Sequence, residues 1–496
     1  MGIVIRQSVK GTALNYVGAF IGLILQMFIA VKYLPQKEVG LIAALSYAGL
    51  VFSRFAQIGL GSSAIRFFPY FKDKENNNHG FFYYLMSVSF IGMVIFTFLY
   101  LCLKGPITDY FQTKSPLLVD YYYWVIPLGC FLLYGLVFET YSSVLMRIAI
   151  PKFIKEILLR ILLIVIYILY GLKQITLNQF IAGYVGIYGF AMLAVFYYVS
   201  RIGPVNLKHE PSFITPKLRK KFLSYTSWLV IGSLGGTLIG YIDTFMVGSN
   251  IGLSSVAIYT IAYNMVAAIE IPSRSITAIS SPVAAEALQA GNTTKANDLY
   301  KQVSLHQFMT ASVLFLLIWV NINNIYAIIP NGEMYSAGKW VFFFVGIAKI
   351  IEVTLNFGAT LISYSRYYHW SIYFVFFITG LTIVTNNLLI PIYGVSGAAI
   401  ATLVTCLVSY GIQQWIIFIK IKGNPYTRGT WKQTVVILFL LGLNTLLPVF
   451  ANPWLDGIYR TLLMSGLVFL FVYFGKISPQ VNELVDKVFF SVWKKE

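Results

Sequence analysis

Residues 81–103 read FFYYLMSVSFIGMVIFTFLYLCL, a stretch without one charged side chain. As a helix rising 1.5 Å per residue it reaches about 35 Å, enough to cross the ~30 Å hydrocarbon core of a bilayer. Thirteen further spans can be marked outward from it: 13–34, 39–60, 117–138, 154–171, 177–199, 222–247, 251–270, 305–329, 338–358, 370–390, 394–418, 433–451 and 457–475. The fifth span in chain order, 154–171, is short and holds Glu156 and Arg160 near its start. The eighth continues with little polarity past Pro272 and Pro282, which predicts a long helix kinked at those prolines. Of the 496 residues, 58% are hydrophobic and 11% charged, with 39 Phe, 35 Tyr and 9 Trp. One or two soluble cores cannot hide that much apolar surface. A soluble multidomain enzyme is excluded, and the expected fold is an all-α polytopic membrane protein with about 14 transmembrane helices.

The charges support the layout. Thirty-six Lys and Arg against 18 Asp and Glu leave a net charge of +18. In a soluble chain that excess would point to nucleic acid. Here the bases sit between apolar runs, so membrane orientation and anionic headgroups explain them, and no nucleic-acid partner is expected. With the N-terminus in the cytoplasm, 27 Lys and Arg fall on the cytoplasmic side and 7 on the other, while Arg54 and Lys349 stay inside the membrane. The positive-inside rule therefore predicts cytoplasmic termini and an even number of spans. The opening MGIVIRQSVKG has Arg6 where myristoylation needs a small residue, and the run after it reaches Pro35 without a small-x-small cleavage site. It reads as a retained first helix. Cys102, Cys130 and Cys406 lie in or beside apolar runs without a CxxC pair, as small buried hydrophobes do.

The largest break is 200–221, SRIGPVNLKHEPSFITPKLRKK, with three prolines and a basic cluster. Six spans precede it, so the seventh starts on the same side as the first, and two halves in parallel orientation follow. The expected organisation is an N-terminal six-helix bundle at 1–200, a cytoplasmic basic linker at 201–221, a second six-helix bundle at 222–420, and two additional helices with a cytoplasmic tail at 421–496. The segment 283–301, with Glu286, Lys295, Asp298 and Lys301, is expected as a cytoplasmic amphipathic helix.

A charge within a membrane span is costly unless it is paired or faces water, so such residues are the functional candidates. Arg54, in LVFSRFAQIGLG, can grip a diphosphate through forked hydrogen bonds or hold a structural ion pair. Arg66 and Arg274, nearer the cytoplasmic rim, are helpers or orientation determinants. Asp243, in GYIDTFMVG near the outer end of the seventh span, is a cation-coupling site or a solvated helix-end acid. Glu270 and Arg274, four apart on one helix face, neutralise each other or serve the transport cycle. Lys349 and Glu352, three apart, form a second pair or line a cavity. Tyr259, Tyr263, Tyr225 and Trp228 suit stacking on sugar rings, although Tyr and Trp also gather at membrane interfaces. His79, His209, His306 and His369 scatter through predicted loops and helix ends without HExxH, and there is no GxxxxGK[ST]. Neither an enzyme, nor a cofactor, nor a metal site is expected. NTT at 292–294 fits a glycosylation sequon but falls on the cytoplasmic side.

Three stretches carry a family resemblance: QSVKGTALNYVGAFIGLILQMFIAVKYLPQKEVGLIAALSYAG at 7–49, YIDTFMVGSNIGLSSVAIYTIAYNM at 241–265, and NNLLIPIYGVSGAAIATLVTCLV at 386–408. In the last, Gly394, Gly397, Ala398 and Ala399 permit close helix approach, and Pro391 and Gly394 bracket a short turn. From about residue 5 to about residue 475 the chain resembles the polysaccharide-biosynthesis branch of the multidrug/oligosaccharidyl-lipid/polysaccharide exporter superfamily, the lipid-linked oligosaccharide flippases. The resemblance implies two six-helix bundles in a V around a central cavity, with 433–475 as the additional pair of the fourteen-helix members. It also implies a bacterial cytoplasmic membrane location. The implied activity is translocation of polyprenyl-diphosphate-linked oligosaccharide by alternating access, for lipopolysaccharide O-antigen or capsule. Arg54, Arg66, Arg274, Lys349, Tyr259 and Tyr263 would stand at the substrate cavity, and Asp243 or Glu270 would couple Na+ or H+. Membrane lipids and a polysaccharide polymerase or glycosyltransferases of the same pathway are the implied partners. A cation-coupled drug or metabolite exporter of the same superfamily and a lipid II flippase are the alternatives.

Overall fold

The computed structural model describes residues 2–73, 76–206, 222, 240–365 and 370–493. Most of the expected linker 201–221 and seventh span 222–247 lies outside the described residues, as do Tyr225, Trp228, His209 and His369. Among the described residues all regular structure is helical. An all-helical chain is one of the two ways a backbone satisfies its own N–H and C=O groups in hydrocarbon. Eleven of these helices are long and apolar enough to cross a bilayer. The protein is an all-α polytopic membrane protein.

The chain divides into two compact units, one ending at Ala257 and one beginning at Ile258. The first contains α1 (Gly2–Ile24, continued by a π turn to Tyr33), α2 (Gln36–Ala56), α3 (Leu60–Phe71), α4 (Phe81–Cys102), α5 (Lys104–Gln112), α6 (Val125–Val144), α7 (Leu159–Gly171), α8 (Leu177–Ile202) and α9 (Ile242–Asn250). A π turn at Ile154–Leu158 leads into α7. α10 (Leu253–Gln289) carries the chain into the second unit, followed by α11 (Thr293–Val320), α12 (Ile322–Ile328), α13 (Gly338–Tyr364), α14 (Trp370–Tyr393), α15 (Val395–Lys420), α16 (Arg428–Asn444), α17 (Pro453–Phe474) and α18 (Pro479–Trp493).

Burial separates lipid-facing helices from central ones. Only 17% of the apolar window of α4 is buried inside the protein, and Phe98 is 66% exposed there. In α13 the share is 61%. Packing between the central helices depends on small residues, because lipid competes equally well for apolar contact. A Cβ on Gly49 of α2 would stand 2.9 Å from Leu128 Cγ of α6, so glycine sets that approach. Gly397 performs the same service at the entry to α15, where a Cβ would meet the Leu389 carbonyl.

Several expected boundaries move. The span expected at 39–60 stops at Ala56, since Ile58 and Gly59 adopt positive φ, 49° and 66°, and restart the chain as α3. The turn expected between Pro391 and Gly394 shrinks to Gly394, φ 59°, with Pro391 inside the last turn of α14. α10 runs unbroken through Pro272 and Pro282 for 37 residues. It ends before Gly291, φ 70°, and Asn292 then caps α11 by accepting the Lys295 N–H at 2.9 Å. The segment 283–301 is therefore two helix ends rather than one amphipathic helix, and the span expected at 305–329 begins at Thr293 and breaks at Asn321. The sequon asparagine is a helix cap. Of the expected spans, 154–171 and 433–451 are not among those eleven, and the helix in the second stops at Asn444 after 17 residues.

That early stop is explained by a buried ion pair. Arg460 and Asp456, 5% and 2% exposed, sit one turn apart on α17 with Nε donating to Oδ2 at 2.6 Å. Arg460 also donates to Asn444 Oδ1 at 2.5 Å and to the Pro448 carbonyl at 3.0 Å. Asp456 accepts from Asn324 Nδ2 at 2.6 Å and from the Phe450 N–H at 3.0 Å. The pair thus ties α12, the end of α16 and the start of α17 to one point. Below it Leu316, Val320, Leu440, Met464 and Val468 form a shared core.

Candidate functional site

Each unit holds a polar cavity among its helices. In the first unit, Ser46, Leu50 and Arg54 recur every fourth residue along one face of α2. Across from them stand Glu139 of α6, Tyr188 of α8, and Lys155, Glu156 and Arg160 around the π turn before α7. The cavity measures about 320 Å³ and carries these charged walls, whereas a neighbouring cavity of about 370 Å³, lined in part by α5, has no charged side chain in its lining. Lys155 Nζ pairs with Glu139 at 3.0 Å, and Arg160 Nη2 with Glu156 at 2.7 Å. Arg54 makes no hydrogen bond or ion pair among the described residues. Three cations against two acids leave one surplus positive charge, and Arg54 carries it. Its place in the last turn of α2 also aligns it with the negative end of the helix dipole.

α1 holds this wall in place. Arg160 donates from Nη1 to the Gly18 carbonyl, and a Cβ on Gly18 would lie 2.6 Å from Glu156 Cβ. Gly18 and Gly22, four apart, form a small-xxx-small seam over the Glu156–Arg160 pair. Gly22→Leu should push the Arg160 guanidinium aside and lower thermal stability in detergent by about 1–3 kcal/mol, the usual cost of overpacking. An unchanged melting temperature would refute this seam.

In the second unit, Glu270, Ser273, Arg274 and Thr277 share one face of α10 and line a cavity of about 350 Å³. Arg274 Nε donates to Glu270 Oε1 at 3.1 Å. Lys349 of α13 lies 3.3 Å from Glu270 Oε2 and 2.8 Å from Glu352 Oε2. Both pairs read from helical spacing therefore exist, and Lys349 joins them into one four-membered network. Gln307 of α11 completes the wall. It is 1% exposed, donates to Thr277 Oγ1 at 2.9 Å, and leaves its buried Oε1 without a partner. Sequence reasoning missed Gln307, because an uncharged amide in an apolar run carries no periodic signal.

The remaining candidates separate from these cavities. Tyr259 is 2% exposed and stacks on Tyr263 with ring centroids 6.1 Å apart, so its ring lies in the core and offers no open face to a sugar. Tyr263 is half-buried and lies within electrostatic reach of Lys349. Arg66 is exposed on α3. Asp243 lies in the first turn of α9 and is 8% exposed, so it is not a solvated helix-end acid. Of the histidines, His306 is inside α11 rather than at a helix end, with Nε2 3.1 Å from Ser478 Oγ. No group of three or more His, Cys, Asp or Glu suited to a metal occurs among the described residues.

The family model described as polysaccharide biosynthesis protein matches residues 8–287. An uncharacterized membrane protein of Methanocaldococcus jannaschii is 22% identical, over 97% of this chain and 98% of its own. Among solved structures, lipid II flippase MurJ in an inward closed conformation superposes with a TM-score of 0.74 at 11% identity, covering 94% of this chain and 98% of that one. An inward-facing MATE family multidrug resistance transporter of the MOP superfamily gives 0.63 at 14% identity, over 83% and 94%. A MOP superfamily transporter from Pyrococcus furiosus, described as having a binding pocket of reverse polarity, gives 0.53 at 14% identity, over 85% and 96%. At these identities the structural likeness is one of fold.

Proposed function

This chain belongs to the polysaccharide biosynthesis protein family, and we propose that it flips a polyprenyl-diphosphate-linked glycan from the cytoplasmic to the outer leaflet. The reading is supported above all by Arg54, a guanidinium without a counter-ion among the described residues, facing a polar cavity walled by membrane helices. A hydrated head group cannot cross hydrocarbon cheaply, since each unsatisfied polar group costs kilocalories. A cavity with surplus positive charge lowers that barrier for a diphosphate, which the planar guanidinium can grip at two oxygens. Arg66 and Arg274 assist in collecting the anion, and Lys349 and Tyr263 contact the sugar portion.

In this proposal the fold has fourteen crossing helices in two six-helix bundles, 1–200 and 222–420, with 201–221 as a cytoplasmic linker and 421–496 as the added pair and tail. Both termini are cytoplasmic. Alternating access moves the cargo site from one face of the membrane to the other, and Asp243 or Glu270 couples the cycle to Na+ or H+. Enzymes that build the glycan or polymerise it are the proposed partners. Chemistry on the cargo is left to them, as transport requires none.

A second reading, flipping of lipid II, is favoured by the superposition on the lipid II flippase along 94% of this chain. One assay separates the readings. The full-length protein is reconstituted in proteoliposomes with either a polyprenyl-diphosphate oligosaccharide or lipid II, and leaflet exchange is followed for wild type and Arg54→Ala. A charge-assisted hydrogen bond contributes about 1.5–3 kcal/mol, so Arg54→Ala should slow flipping roughly tenfold to a hundredfold. Movement of lipid II alone selects the second reading. Gradient-driven export of a small organic cation, with no glycolipid moved, would replace both by the drug-exporter alternative.

A further inference from the structure

The second unit contains a separate cavity of about 410 Å³ on the opposite face of α13 from the Lys349 network. Ile350, Leu355 and Leu407 make its floor, and Tyr410, Tyr426 and Trp431 its aromatic wall. The phenols of Tyr410 and Tyr426 and the indole N–H of Trp431 have no hydrogen-bond partner among the described residues. A phenol is protonated at neutral pH, so Tyr426 is a donor there, and partial burial pushes its value higher still. Three aromatic donors around an apolar floor suit an amphiphile with an acceptor-rich head and a hydrocarbon tail.

The segment that contributes Gln414, Tyr426, Thr430 and Trp431 to the lining is built rather than loose. Gln414 accepts from Tyr300 Oη at 2.8 Å and donates to the Gly423 carbonyl at 3.2 Å. Asn424 N–H donates to Asn297 Oδ1 at 2.8 Å, and Thr427 and Thr430 form a capping box at the start of α16. Between Gln414 and Lys432 the chain carries Lys420, Lys422, Arg428 and Lys432, and no acid. Lys432 is held by the Gly475 carbonyl at 2.7 Å. Lys420, Lys422 and Arg428 are exposed and make no ion pair among the described residues. By contrast, Lys155 and Arg160 at the first polar cavity and Arg274 and Lys349 at or beside the second are matched by carboxylates, Arg54 being the exception already described.

We propose that this cavity is a binding site for an anionic phospholipid of the surrounding bilayer, distinct from the transported cargo. The phosphate is drawn to Lys420, Lys422 and Arg428, its oxygens and ester carbonyls accept from Tyr426 and Trp431, and an acyl chain lies on Ile350, Leu355 and Leu407. α13 forms the wall between this cavity and the one holding Glu352, and Tyr410 lies within electrostatic reach of Glu352 and Glu270. An occupied lipid site therefore supports the helix that positions the Lys349 network, which makes the lipid a modulator of transport. The site itself does not depend on what the transported molecule is.

The test is lipid retention and stability of the full chain in detergent, by native mass spectrometry and thermal melting, with phosphatidylglycerol, phosphatidylcholine or free glycerol phosphate. Phosphatidylglycerol should be retained preferentially and raise the melting temperature, and the other two should not. Each basic residue near a headgroup contributes roughly fivefold in affinity, so Lys420→Gln/Lys422→Gln/Arg428→Gln should abolish the preference. A control variant, Lys72→Gln/Lys152→Gln/Lys295→Gln, neutralises three charges elsewhere and should keep it. Tyr426→Phe/Trp431→Phe removes two donors while keeping an aromatic ring at each position and should weaken retention several-fold. Equal stabilisation by phosphatidylcholine, equal stabilisation by glycerol phosphate, or equal loss in the control variant would each overturn the proposal.

Discussion

Asp456→Ala is expected to destabilise the protein by about 3–5 kcal/mol, because it leaves the Arg460 guanidinium charged and buried without its carboxylate. Arg460 is 5% exposed and its remaining partners, Asn444 and the Pro448 carbonyl, accept hydrogen bonds but carry no negative charge. Arg460→Met should cost a similar amount for the opposite reason, stranding Asp456 between Asn324 and the Phe450 N–H. The double variant Asp456→Leu/Arg460→Met should recover most of the loss, since exchanging both charges for apolar groups removes two desolvation penalties together. Thermal and denaturant unfolding of the four proteins closes the cycle. Additive losses in the double variant would show that the two residues act separately. The locus of the damage is also predicted: protease should cut first near residues 445–452, where the chain between α16 and α17 is held by this pair.

The second large effect is at Lys349. Its side chain is 9% exposed and lies between two carboxylates, Glu270 at 3.3 Å and Glu352 at 2.8 Å. Lys349→Met leaves two acids on facing helices, with only Arg274 to balance them. The acids are about one third exposed, so water screens part of the repulsion, and a loss of about 2–3 kcal/mol is expected rather than the full cost of a buried pair. Glycolipid transport should fall at least tenfold, because the α10–α13 contact around the cavity changes with the charge balance. Lys349→Met/Glu352→Gln restores neutrality and should return most of the stability. Recovery of stability without recovery of transport would show that Lys349 also touches cargo, as proposed above. Failure to recover stability would mean that the lysine contributes packing of its alkyl stem rather than charge.

Much of this architecture is legible along the chain because lipid solvent makes a demanding reader. A span needs about twenty apolar residues in sequence, whatever its neighbours do, so 81–103 and most other crossing helices can be marked without tertiary information. Helical spacing likewise brings Glu270 to Arg274 and Lys349 to Glu352. Boundaries are less legible. The break at Ile58 and Gly59 and the stop at Asn444 arise where positive φ or a buried hydrogen-bond network overrides an apolar run. Asp456 and Arg460 were open to the same i, i+4 rule as Glu270 and Arg274, but their burial is visible only once α12 and the end of α16 close over them.

The order and length of apolar runs were enough to establish a helical membrane protein, since they report on transfer of individual segments between water and lipid. Which charges share a cavity was decided by packing. Lys349 reaches Glu270 from 79 positions away, Glu139 meets Lys155 across two helices, and Gln307 acquires a buried, unpartnered oxygen. Such contacts depend on where helix faces meet in three dimensions, and the amphipathic pattern of a single helix is nearly silent about that when lipid and protein neighbours are equally apolar.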